Sequence, residues 1–390
     1  MSYNPVYESS PFTDFASVNP STALATLNLN WREQDLPEHI RTKHVHRLHP
    51  YLGKFIPQLA EIFLRKYQPK VVCDPFGGSG TTLVEASALG IDSVACDISA
   101  FNCLLMKVKT DKYDLEALER EIRAILEQVR LGIDSPLFRK SLDNLSTDNE
   151  YLKRWFAPKA LRELLYYRSL IPAYSYQDVL KIILSRSARS SRLTTHFDLD
   201  FPKSPQTTPY ECYKHSRVCR PTDDALQFLR RYSLDTLRRI KEFARLRTSA
   251  NISILHGDAR AVSFPPIDAV ITSPPYVGLI DYHEQHRYAY ELLDLPIKSD
   301  QEIGAAANGN SKQARVQYIR QIGEVFANLR KQLSQDGVVV IIVHDKNELY
   351  RDLASQIGYR IEEKLERHVN RRTGRRAGDF FEEILIWRPK

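Results

Sequence analysis

The sequence predicts an α/β protein: a doubly wound, mostly parallel sheet with a helical, basic segment inserted between two of its strands. Three observations carry this. First, the short apolar run 70–73 stops at Asp74-Pro75 and a glycine-rich turn, then a helix-like stretch leads to a second apolar run, 93–96, that ends at Asp97. That is the opening of a βαβ unit, and βαβ units build parallel sheets. Second, a further apolar run, 267–271, leads into the stiff turn Ser273-Pro274-Pro275-Tyr276. Third, the next strand should follow the second within about thirty residues in a compact repeat, yet the strand pattern resumes only at 252.

Taken in order, residues 1–35 are polar and irregular and read as a loosely packed lead-in. Residues 36–110 and 250–390 form the catalytic α/β domain. Within it, Leu59, Ile62, Phe63 and Tyr67 recur at helical spacing and predict a helix over 57–67. The strand at 70–73 is followed by a helix over 81–89, closed by Gly90. In the inserted segment, 111–249, helices are expected at 115–131, 160–171 and 224–247. Its middle, 185–221, is rich in Ser, Thr, Pro and Arg and reads as a long loop or small irregular lobe. Strands follow at 252–255 and 267–271. Residues 277–333 are mostly helical, interrupted by a loop at 304–311 that is flexible by composition. A central strand at 338–343 and a hairpin of 365–369 with 383–387 close the domain. No internal repeat is present.

The bulk composition narrows the class. The chain has 390 residues, 43% hydrophobic and 26% charged, ordinary for a globular protein. No apolar run approaches the roughly 18 residues that cross a bilayer, and Met1-Ser2-Tyr3-Asn4-Pro5 lacks signal-peptide features. A cytoplasmic location is expected. Five cysteines in this length make no disulfide framework, and Cys73 and Cys96 read as core residues. Cys212, His215 and Cys219 raise a zinc site with His196 as the nearest fourth ligand. Their spacing matches no common zinc pattern, so no metal is expected. The net charge is +7, and its excess is concentrated: residues 181–250 hold 15 Lys and Arg against 7 Asp and Glu. A basic segment is the footprint expected on a polyanion.

The run Asp74-Pro75-Phe76-Gly77-Gly78-Ser79-Gly80-Thr81-Thr82 lets the backbone turn sharply and approach a ligand, with a helix N-terminus facing it. It contains neither Gly-x-Gly-x-x-Gly nor Gly-Lys-Thr, which argues against the dinucleotide and P-loop readings. It closely resembles the S-adenosylmethionine motif of the amino-methylating DNA methyltransferases, which modify adenine N6 or cytosine N4 in restriction–modification systems. The Ser-Pro-Pro-Tyr turn downstream resembles the same family's catalytic loop. The resemblance covers residues 44–110 and 250–390. It implies a Rossmann-like methyltransferase fold with S-adenosylmethionine as cofactor, held by Phe55, residues 74–82, Asp97, Ile98, Asp258 and Ala259. In that scheme Phe55 closes over the methionine end, Asp97 accepts from the ribose hydroxyls and Asp258 meets the adenine amino group. His44, His46 and His49 read as polar surface near this site, and His283-Glu284-Gln285-His286 is one residue too short for a His-Glu-x-x-His zinc motif.

An exocyclic amino nitrogen is a poor nucleophile because its lone pair is delocalised into the ring. Rigid acceptors for its hydrogens draw it toward tetrahedral geometry. Ser273 Oγ and the Pro274 carbonyl suit this role, Pro275 stiffens the turn, and Tyr276 offers a ring face to a flipped base. No Pro-Cys dipeptide occurs, which argues against attack at cytosine C5 through a cysteine. In the family, Ser ahead of Pro-Pro-Tyr goes more with cytosine N4 than adenine N6, so cytosine N4 is expected. The expected partner is double-stranded DNA, with a cognate endonuclease implied by the family. Arg186, Arg189 and Arg192, with Arg371, Arg372, Arg375 and Arg376, are the candidate DNA contacts. The insertion lies before the third strand, whereas the resembling subgroup carries its recognition region after it. An adenine-N6 enzyme, an RNA base methyltransferase and a DNA-binding protein with vestigial catalytic residues are the rival readings.

Overall fold

A computed structural model describes residues 11–134, 146–196, 198–199, 202–345, 347–369 and 380–390. Seven strands form one sheet in the order β5-β2-β1-β6-β7-β9-β8: β1 (Val71–Asp74), β2 (Asp92–Asp97), β5 (Ile252–His256), β6 (Ile267–Thr272), β7 (Leu333–Val343), β8 (Tyr359–His368) and β9 (Phe381–Pro389). The pairs β1–β2, β2–β5, β1–β6 and β6–β7 are parallel, and β7–β9 and β8–β9 are antiparallel. This is the doubly wound, mostly parallel sheet expected. The remaining strands, β3 (Tyr210–Cys212) and β4 (Arg217–Cys219), make a separate antiparallel hairpin in the insertion.

Both faces of the sheet are covered, which is why its central strands are apolar without alternation. On one face, Phe63 from α1 (Pro57–Tyr67) packs with Val72, Ile271, Val340 and Ile384. On the other, Phe326 from α10 (Lys312–Arg330) packs with Cys73, Val270, Val339 and Trp387. The lead-in is irregular but not loose. Leu27, Leu29 and Trp31 are buried in the first of these clusters. The Trp31 indole donates to Thr13 O at 3.0 Å and Asn30 Oδ1 accepts from His368 N at 2.6 Å. The apolar residues of this stretch have no helical or strand period, so their burial left no signal in the sequence.

In the insertion, α4 (Leu115–Asp134), α5 (Glu150–Trp155), α6 (Pro158–Leu170), α7 (Gln177–Ser191) and α8 (Leu226–Ala244) share one apolar cluster. That cluster also takes Phe101 and Leu105 from α3 (Ala100–Thr110), Val45 and Leu48 from the lead-in side, and Tyr288 and Leu292 from α9 (Arg287–Leu293). The helices are therefore welded to the catalytic domain. The loop expected from 185 onward begins only after Ser191. Its polar serines are absorbed by the helix, Ser187 Oγ donating to Ile183 O at 2.7 Å and Ser191 Oγ to Ser187 O at 2.8 Å. No helix among the described residues is long and apolar enough to cross a membrane.

Candidate active site

Strands β1, β2 and β6 run parallel, so Asp74, Asp97 and Thr272 arrive at the same edge of the sheet. From β1 the chain passes to β2 on one side, and later returns to β6 on the other. A crevice opens at such a switch point. Here it is a cleft lined by Tyr51, Phe55, Asp74, Pro75, Phe76, Gly77, Gly78, Ser79, Thr81, Asp97, Ile98, Asp258, Ala259, Ser273, Pro275 and Glu302 among others.

The glycine turn is shaped by its neighbours. Gly77 N–H donates to Cys96 O at 2.9 Å, drawing the turn against β2. A Cβ at Gly77 would lie 2.5 Å from Met106 Sδ and 3.0 Å from Ala95 Cβ, so a side chain there would have to displace Met106. Gly78 and Gly80 have φ of +49° and +78°, a conformation that favours glycine. Gly80 caps α2 (Thr81–Leu89) with no side chain covering its first amides. A helix N-terminus of this kind is a place for anionic or acceptor groups. Behind the turn, the buried Lys109 donates to Ser79 O at 2.5 Å, and its desolvation lowers its pKa well below the ordinary lysine value.

Two carboxylates, Asp74 buried and Asp97 half-buried, set the electrostatics. Asp74 Oδ1 accepts from Thr272 Oγ1 at 2.6 Å and from Phe76 N at 3.2 Å, and burial pushes its pKa up to about 6. Asp97 Oδ2 accepts from Gly78 N at 2.7 Å and Asn102 Nδ2 at 3.1 Å, and Oδ1 from Ser99 N at 2.8 Å; burial raises its pKa against those bonds. A carboxylate has about four acceptor sites, so Asp97 retains capacity for a ligand hydroxyl. Asp258 is gripped by Arg260, with Nε 2.9 Å from Oδ1 and a terminal nitrogen 2.5 Å from Oδ2, which holds its carboxyl below the usual value. Phe55 lines the cleft and packs into the core beside Leu59.

The Ser-Pro-Pro-Tyr turn follows β6 directly. Ser273 and Pro275 line the cleft and Pro274 is buried, while Tyr276 is not among the lining residues. Ser273 Oγ is shielded from solvent with no hydrogen-bond partner in range. The Tyr276 hydroxyl is pushed well above its ordinary pKa, chiefly by burial, with the nearby Ser273 hydroxyl acting the other way. Thr272 Oγ1 to Asp74 and Thr82 Oγ1 to Ile271 O, at 3.0 Å, bolt the two motifs together across β1 and β6. The 304–311 loop is tied to this region: Gly278 N donates to Gly304 O at 2.9 Å and Ala307 N to Asp281 Oδ1 at 3.1 Å.

Several wall residues carry no signal in the sequence. Tyr51, Gly53, Asn102, Tyr282, Gln301, Glu302 and Ile303 reach the cleft from four separate segments. Glu302 is buried and accepts from Tyr282 N at 3.2 Å and His283 N at 2.8 Å, and it pairs with His283 Nδ1. This anchors the part of the wall that carries Tyr282.

Other candidates are placed differently from expectation. Arg186 is buried, 2.6 Å from Asp235, with its guanidinium over the Tyr232 ring at 4.3 Å. Arg192 is buried over Tyr288 at 4.5 Å and donates to Leu199 O. Arg186 is carried inward on α7, whereas Arg192 lies just past the end of that helix, in an extended bridge to Phe156; Arg189 is half-buried. Arg371, Arg372, Arg375 and Arg376 lie outside the described residues. His44, His46 and His49 are buried, not surface groups. His46 Nε2 meets Glu85 Oε1 at 2.6 Å, and burial lowers the pKa of His44 to about 3.

No family model matches the chain. It is 36% identical to Type II methyltransferase M.MjaII of Methanocaldococcus jannaschii, over 90% of this chain and 81% of that protein. Type II methyltransferase M.MvaI of Kocuria varians is 25% identical over 67% of this chain and 60% of its own length, and M.BsoBI of Geobacillus stearothermophilus is 25% identical over 66% and 54%. With a doubly wound sheet, an acceptor-lined glycine cleft and this degree of identity, the chain belongs to the Type II methyltransferase family of restriction–modification systems and uses S-adenosylmethionine as its cofactor.

Proposed function

We propose that this protein methylates an exocyclic amino group of a base flipped from double-stranded DNA, cytosine N4 in particular, as the modifying partner of a cognate restriction endonuclease. The observation that carries the reading is a single cleft walled by both Ser273 and Pro275 and by Asp74 and Asp97. Methyl donor and catalytic turn would then meet in one space. The cofactor, held by the glycine turn, Asp97, Asp258 and Phe55, supplies an electrophilic methyl group on a sulfonium. Ser273 Oγ, shielded and without a partner, is ready to accept an amino hydrogen, and the Pro274 carbonyl takes the other. The freed nitrogen lone pair would form its bond to the methyl carbon as the carbon–sulfur bond breaks and the neutral thioether leaves, one amino proton passing to solvent, and much of the rate comes from alignment. Tyr276 provides the stacking face for the extruded base. The exposed basic residues of 181–250, not the buried Arg186, Arg192 and Arg239, together with Arg371, Arg372, Arg375 and Arg376, contact phosphates, and the 111–249 segment reads the target sequence.

Ser273 as the first residue of the turn favours cytosine N4 over adenine N6. Mass spectrometry of nucleosides from DNA of cells expressing the protein, beside a Ser273→Ala control, tests this. N4-methylcytosine present only with the intact protein is the expected result. N6-methyladenine would overturn the base assignment, and neither mark would overturn the substrate.

A further inference from the structure

We propose that the insertion holds a structural zinc ion bound by His196, Cys212, His215 and Cys219. The nearest ligand atoms of these four residues, two imidazole nitrogens and two sulfurs, all lie within 4.8 Å of one another. The Nδ1 atom of His196 is 3.4 Å from Cys212 Sγ, and that of His215 is 3.7 Å from Cys212 Sγ and 3.4 Å from Cys219 Sγ. Zinc bonds of about 2.3 Å to sulfur and 2.05 Å to nitrogen, at the tetrahedral angle, put nitrogen and sulfur about 3.6 Å apart. The three separations straddle that value. Two thiolates and two imidazoles in a tetrahedron are the donor set that selects zinc. Four protein ligands leave no open position, so the ion is structural rather than catalytic.

The surrounding structure needs such a staple. Strands β3 and β4 have three residues each, pair only with one another, and stand apart from the main sheet. A lone two-stranded hairpin is marginal in water. Its only buried strand residues are Cys212 and Cys219, whereas Tyr213 and Val218 are 81% and 66% exposed. The turn is bent to bring a ligand back: His215 N donates to Cys212 O at 3.1 Å, and Ser216 takes a positive φ of 50°. His196 arrives from the far side, its backbone N–H held by the Tyr210 hydroxyl at 3.2 Å, and that hydroxyl is 3.0 Å from its Nδ1. On binding, each cysteine thiol gives up its proton to solvent and two sulfur–zinc and two nitrogen–zinc bonds form. A second cluster, the buried His44, His46 and Glu85, is already neutralised by Lys43, 3.0 Å from Glu85, and faces the buried Lys109.

The test is metal analysis of the full-length protein, purified under reducing conditions with any affinity tag removed. One zinc per chain is expected. Cys212→Ser with Cys219→Ser should cut zinc content at least tenfold. His215→Ala should lower it, while His215→Cys, which restores four ligands, should retain it even if the alanine variant folds poorly. Replacement by Co²⁺ should give the absorption of a tetrahedral thiolate site. Chelation should expose the 193–221 segment to limited proteolysis. Wild-type protein that carries no zinc and takes up none on titration would overturn the proposal, as would full zinc content in the double serine variant or a Cys212–Cys219 disulfide in the reduced preparation.

Discussion

Thr272→Val isolates the bond that joins the two halves of the active site. The substitution keeps the shape of the side chain and removes only the Oγ1 donor, 2.6 Å from Asp74 Oδ1. A hydrogen bond to a charged group contributes about 1.5–3 kcal/mol, and losing the donor leaves a buried acceptor underserved, so a loss of about 2 kcal/mol is expected. The pH dependence follows from Asp74. Burial lifts its pKa from 3.8 to about 6 in the folded state. Between those values the folded chain holds a proton that the unfolded chain has released, so stability falls as pH rises through this window. At one unit per 1.36 kcal/mol the full cost at neutral pH is about 3 kcal/mol. Removing the Thr272 donor raises the folded-state pKa further, so the added cost appears above pH 6 and shrinks at pH 5, where Asp74 is largely protonated. Urea unfolding at pH 5 and pH 8 reads this directly. Thr272→Val should lose about 2 kcal/mol at pH 8 and markedly less at pH 5, and Thr272→Ser should behave as the parent. An equal loss at both pH values, or an equal loss in the serine variant, would refute the reasoning.

Further outcomes follow from the same geometry. Asp97→Ala should weaken S-adenosylmethionine binding by about 10- to 100-fold in calorimetric titration, the loss expected for bonds to a charged acceptor, while Ser273→Ala should leave that affinity nearly unchanged. Gly77→Ala should abolish cofactor binding because its methyl would sit 2.5 Å from Met106 Sδ; adding Met106→Ala should recover part of it, and no recovery would mean that Ala95 or the backbone sets the limit. Arg186→Ala should lower the melting temperature, since it strips a partner from Asp235, while leaving the salt dependence of DNA binding at its parental slope; a slope reduced by about one would return Arg186 to the phosphate contacts.

Local pattern along the chain carries part of this architecture. The strands ending at Asp74 and Asp97 and the turn after Thr272 were legible because apolar runs, glycines and prolines act within a few residues. Once two such ends belong to a parallel sheet, they must share an edge, and most of the cleft follows. Tertiary structure decided what depends on distant chain meeting. Tyr51, Asn102 and Glu302 join the cleft wall from separate segments with no motif to mark them. Arg186 and Arg192 read as contacts for DNA, because composition cannot say which way a helix, or the chain leaving it, turns its side chains; Asp235 and Tyr288 receive them. His196 lies 16 residues from Cys212, too irregular a spacing for a zinc pattern, yet the hairpin and the chain leaving α7 bring their ligand atoms to 3.4 Å. Pattern reports on neighbours along the chain, whereas ligand sets and buried ion pairs are made by neighbours in space.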